Sequence, residues 1–146
     1  MTDMMDLQKD REMLKVAFPH YGEDGLELVY RAWKKAGEVL SEDLRDNGHP
    51  FIEHPMNVAS IVSEEIGLPA ECVAAVFLHE AMRKHPDAGV STSDFPAEVA
   101  KMVDGLNRIA TIKPKDTRLE AENYKKLIVQ YSTDPRVTVL KIADRL

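Results

Sequence analysis

His79 and Glu80, two residue types that bind protons and metals, end the longest apolar run of the chain, Val73 to Leu78. A charged group in such surroundings is costly unless it is paired or bound to a cation. Asp144 lies seven residues after Val137 and four after Leu140. On a helix it therefore shares their inward face. His54 opens another apolar segment of the same kind. Two histidines and two carboxylates suit a single divalent metal. They equally suit a buried polar network, with His79 bonded to a backbone carbonyl and Asp144 paired with an Arg or Lys. Spacing leaves both readings open. His20, His49 and His85 fall in turn-forming stretches and read as solvated surface residues. Cys72 sits in an apolar stretch and reads as a packed thiol rather than a nucleophile.

The elements that must position these residues are helices. Apolar residues recur at helical spacing along most of the chain, and no alternating strand pattern stands out. The pattern predicts a first helix over Met4 to Phe18, ended by Pro19-His20-Tyr21-Gly22. A second begins near Glu23, with Val29, Ala32, Trp33, Ala36, Val39 and Leu40 as its inner stripe. Gly48-His49-Pro50 breaks the chain. His54 and Pro55 then read as a cap and first-turn proline for a helix through Val58, Ile61 and Val62, closed by Gly67. The next helix, Ala70 to about Lys84, is apolar nearly all round and belongs at the centre of a bundle. Residues 85–95 are rich in Pro, Gly, Ser and Asp and read as a loop. Further helices are expected from Pro96 to about Ile109, from Thr117 to Tyr131, and from Asp134-Pro135 onward. The last has neither cap nor stop signal at Asp144-Arg145-Leu146, which suggests a piece of a longer protein.

The bulk composition fits one ordinary globular unit. The 146 residues are 44% hydrophobic and 30% charged, with no internal repeat or low-complexity tract. A net charge of −6 argues against nonspecific binding to DNA, which needs a basic face. One cysteine rules out an intrachain disulfide and fits a reducing, cytoplasmic setting. No apolar run approaches the length of a membrane span, and no signal-peptide pattern opens the chain.

Five segments carry a resemblance. Arg45-Asp46-Asn47-Gly48-His49-Pro50-Phe51-Ile52-Glu53-His54-Pro55 leads from an arginine to a His-Pro. Ala74-Ala75-Val76-Phe77-Leu78-His79-Glu80 ends in a Leu-His-acid. Val103-Asp104-Gly105-Leu106, Ala121-Glu122-Asn123-Tyr124 and Val139-Leu140-Lys141-Ile142-Ala143-Asp144-Arg145-Leu146 follow in order. Together they resemble the N-terminal histidine–aspartate-type (HD) hydrolase domain of the RelA/SpoT family of guanosine tetraphosphate enzymes, over about Ala32 to Leu146. The resemblance implies an all-α, HD-domain-like multi-helix bundle filling residues 1–146, cut from a longer multidomain chain. In active members this domain uses manganese to remove the 3′-pyrophosphate of guanosine tetraphosphate. By position it implies His54, His79, Glu80 and Asp144 as metal ligands and Arg45 as the residue packing on guanine, a role that a planar guanidinium suits.

Three departures fall on the working part. Glu80 stands where the family has a metal-binding aspartate, and its extra methylene moves the carboxylate outward. Arg83 and Lys84 stand where the family has a Glu-Asp pair, one member of which orients the attacking water. Permanently protonated side chains cannot act as a general base, and two cations repel a divalent ion. Asp46 and Asn47 replace a family Lys and Ser, weakening the grip on a tetraphosphate.

The resemblance with its departures therefore implies a noncatalytic hydrolase domain, holding no cofactor, kept as a structural or regulatory partner of a following synthetase domain in a GTP pyrophosphokinase. Arg83 or Lys84 is then expected to replace the metal as the charge neutralising Glu80 and Asp144. Two alternatives stand beside it. One is a surviving manganese-dependent pyrophosphohydrolase with altered ligands. The other is a metal-free helical module that binds a nucleotide or a partner protein.

Overall fold

A computed structural model describes residues 4–44, 48–110 and 135–144. Six α-helices run through them: α1 (Met4–Ala17), α2 (Glu23–Leu40), α3 (Glu53–Ser60), α4 (Ala70–Lys84), α5 (Ala97–Ala110) and α6 (Pro135–Asp144). The fold is all-α. Among the described residues the sole β-type pairing is an isolated antiparallel bridge between Leu44 and Pro50. The helix expected over Thr117 to Tyr131 lies outside the described residues.

The central position of α4 follows from its sequence. With no polar face before its last turns, it can satisfy its side chains only by being covered on every side. Ala70 and every residue from Cys72 to Ala81 are buried, and α2, α3, α5 and α6 all pack against it. Small residues on the facing helices, Ala32 and Ala36 on α2 with Ala74 and Ala75 on α4, leave room for close approach. Phe77 fills the space between helices and is fully buried, which stabilises the fold by roughly 1.5–3 kcal/mol. Cys72 is buried as expected, with Sγ 3.6 Å from Met102 Sδ.

The inner stripe of α2 is Leu28, Val29, Ala32, Ala36 and Leu40; Trp33 and Val39 are only partly buried against it. Helix α1 covers the outer side of α2 through Leu14 and the following Phe18. The Arg11 guanidinium pairs with Glu27 and lies 4.1 Å from the centre of the Tyr30 ring. That pair holds the Glu27 carboxyl below its ordinary range. Tyr21, in the turn after α1, donates its hydroxyl to the Leu68 carbonyl at 2.6 Å. Burial raises the phenol above its ordinary value.

The segment after α3 departs from the expected single helix. From Ile61 to Ile66 it widens into a π-helical turn, closed by Gly67 at φ 77°. That conformation suits glycine because it has no Cβ to clash. The N-terminus of α3 also differs: Ile52 is its N-cap, and His54 and Pro55 lie inside the first turn. The proline is tolerated there because early amides need no intrahelical acceptor. Within the loop 85–95, Pro86–Ala88 forms a short 3₁₀ turn.

At Gly105 of α5 the reason for a glycine is packing. A Cβ there would lie 2.9 Å from Val137 Cγ2, so any other residue would force Val137 or the two helices to shift. Val137 and Leu140 are buried, as the periodicity of α6 predicts.

Candidate functional site

The last turns of α4 place polar groups where an apolar helix meets its neighbours. Glu80 is 1% exposed and His79 is 4% exposed. Each needs a partner, and each has one. Arg83, one turn further along α4, donates to Glu80 Oε2 from Nη2 at 2.8 Å and from Nε at 3.3 Å. Spacing of i,i+3 brings these side chains onto one face. The His54 Nε2 of α3 stands 3.9 Å from the same oxygen. Thus His54 and Glu80, far apart in sequence, come close in space.

His79 points its Nδ1 to Asn107 Oδ1 of α5 at 2.9 Å. The sequence reading had offered a backbone carbonyl or a metal for this histidine. Asn107 was missed, yet a signal existed. It lies four residues after the buried Val103 and next to the buried Leu106, so it is a polar residue on the edge of a core-facing stripe.

The two basic residues at the end of α4 take different places. Arg83 turns toward Glu80, with its guanidinium carbon 5.7 Å from the centre of the Phe51 ring. Lys84 puts its Nζ 4.9 Å from the same ring centre. Phe51 is thus a platform for two cations, an arrangement that attracts through the ring quadrupole. It also lies beside His54, with ring centres 5.9 Å apart. Both cations further complement the negative C-terminal end of the α4 dipole.

His85 needs correction. Rather than a freely solvated loop residue, it is half-buried, with Nε2 2.5 Å from Asp43 Oδ2. Asp43 in turn accepts the Phe51 amide on its backbone carbonyl at 2.9 Å. The end of α4 is therefore fastened to the base of the loop before α3. His20 and His49 are exposed, as expected.

Arg45, Asp46 and Asn47 lie outside the described residues. Asp144 closes α6, but its side chain is likewise outside them. Among the described residues no three His, Cys, Asp or Glu side chains gather as a metal set. A divalent ion on Glu80 Oε2, at about 2.1 Å, would lie at most about 5 Å from Arg83 Nη2. That oxygen already accepts from a permanent cation, so a divalent ion placed on it would have to share it with the Arg83 guanidinium.

Comparison with known proteins places this geometry in a family. The HD domain model matches residues 32–146. This chain belongs to the HD domain family, in its RelA/SpoT branch. The guanosine-3′,5′-bis(diphosphate) 3′-pyrophosphohydrolase of Aquifex aeolicus is 36% identical over 143 residues, 97% of this chain and 20% of that protein. The bifunctional (p)ppGpp synthase/hydrolase SpoT of Escherichia coli is 31% identical over 125 residues, 84% of this chain and 18% of its own length. A GTP pyrophosphokinase of Myxococcus xanthus is 28% identical over 131 residues, 86% of this chain and 17% of that protein. This RelA/SpoT-type HD chain spans no more than about a fifth of the length of these relatives. No helix among its described residues is long and apolar enough to cross a membrane.

Proposed function

We propose that this HD chain is a noncatalytic hydrolase domain with a structural or regulatory role in a cytoplasmic GTP pyrophosphokinase of the RelA/SpoT type. The observation that supports the reading is the Arg83–Glu80 pair. A side chain of this helix supplies the positive charge at the oxygen where a hydrolase of this family would need its metal. Hydrolysis of a pyrophosphate ester also needs a group that accepts a proton from water. Arg83 and Lys84, at the positions of the family's acidic pair, remain protonated and cannot do so. The Phe51 ring and the Asp43–His85 pair tie these residues into the fold, consistent with a packing role.

The synthetase domain that would follow, and binding of a guanine nucleotide near Arg45, belong to the same proposal. The test is incubation of the longer natural protein with guanosine tetraphosphate and manganese. The proposal expects no release of pyrophosphate above that of a His79→Gln variant. Turnover that disappears in that variant would refute it.

A second reading, a surviving manganese-dependent pyrophosphohydrolase, is favoured by two observations. The Aquifex relative that matches 97% of this chain carries that activity in its name. His54 also approaches Glu80, as two ligands of one ion would. For this reading Arg83 must leave Glu80, and the same assay separates the two.

A further inference from the structure

We propose that Asn107 is a positioning residue that holds His79 as its Nδ1–H tautomer and so makes Nε2 a pure acceptor. The carboxamide of Asn107 lies between two α4 side chains set one turn apart. Its Oδ1 is 2.9 Å from His79 Nδ1, and its Nδ2 is 3.4 Å from Met82 Sδ. A thioether has no hydrogen to donate, so only the amide NH₂ can make a favourable contact with it. Oxygen and nitrogen of an amide are assigned from what surrounds them, and here the sulfur breaks the tie. With Oδ1 turned to the imidazole, the proton must be on Nδ1, because a carbonyl oxygen only accepts. A neutral ring carries one such proton, so the lone pair is on Nε2.

The tautomer decides what His79 can recognise. An Nε2 acceptor takes a hydrogen-bond donor or a Lewis acid, and it gives nothing to a carboxylate or a phosphate oxygen. The other tautomer would reverse this preference and suit an anion instead. His79 is therefore set to face positive or donating groups, whether these come from the protein or from a ligand. The inference is independent of whether hydrolysis survives, because it rests on the α4–α5 contact alone.

Nitrogen NMR of the protein labelled in its histidines tests the assignment, at a pH well above the ordinary imidazole range and with His79 identified through a His79→Gln variant. The unaltered protein is expected to show a protonated Nδ1 and a lone-pair Nε2 for His79. Asn107→Asp keeps an acceptor and should keep that pattern. Asn107→Leu removes the acceptor at similar volume and should shift His79 toward the Nε2–H form. An Nε2–H pattern in the unaltered protein would overturn the proposal, as would a leucine variant whose His79 is unchanged. Should the leucine variant not fold, the other two spectra decide the matter.

Discussion

Arg83 reaches Glu80 Oε2 at 2.8 Å, and the two partners differ sharply in burial: the Glu80 side chain is 2% exposed, that of Arg83 is 41% exposed. Losing the pair therefore falls almost wholly on the carboxylate, which is left in the core with less compensation. Arg83→Ala is expected to destabilise the protein by about 1–3 kcal/mol, below the range for a fully buried pair because the guanidinium is partly hydrated. Glu80→Gln should relieve much of that loss. Denaturant unfolding of both single variants and the double variant measures the coupling.

At Gly105 the prediction is steric. A Cβ placed 2.9 Å from Val137 Cγ2 must push α5 and α6 apart. Gly105→Ala should lower stability by about 1–3 kcal/mol despite the better helix propensity of alanine. A second change, Val137→Ala, makes room and should recover part of the loss. Thermal melts of the two variants and their combination check it.

Tyr21 gives an alkaline dependence with a definite sign. Burial raises its phenol above the ordinary value of 10.0. The unfolded phenol ionises first as pH rises, so the stabilisation is intact below about 10 and is lost as pH climbs toward the folded value. Tyr21→Phe removes the hydrogen bond to the Leu68 carbonyl, at a cost of about 1 kcal/mol near neutral pH. The same variant should flatten the stability profile above pH 10. Denaturant midpoints recorded across that range test both parts.

The Asp43–His85 pair fastens the end of α4 to the loop that precedes α3. His85→Ala should cost no more than about 1 kcal/mol globally, because the half-exposed imidazole makes a solvent-screened pair. Its local effect should be larger. Amide hydrogen exchange at Phe51, whose N–H bonds to the Asp43 carbonyl, should speed up well beyond the global change in stability.

Much of the bundle was legible because its helices obey simple patterns. The Ala70–Lys84 helix was readable to its ends, since its long apolar run is bracketed by Pro69 and the Pro86 turn. The π-turn at Ile61–Ile66 was not, because a one-residue widening leaves the apolar spacing nearly unchanged. At the site, His54 Nε2 and Glu80 Oε2 stand 3.9 Å apart. The choice between Arg83 and Lys84 was open in the sequence, as i+3 and i+4 both reach Glu80. In the structure Arg83 takes the carboxylate, while both cations lie over the Phe51 ring. Asn107 and the Asp43–His85 pair join residues 28 and 42 positions apart, and single-helix periodicity does not register such pairs.

Calorimetric titration of the unaltered protein with manganese tests the central claim most directly. With Arg83 occupying Glu80, no saturable binding is expected. Stoichiometric manganese binding that vanishes in His79→Gln would contradict the account.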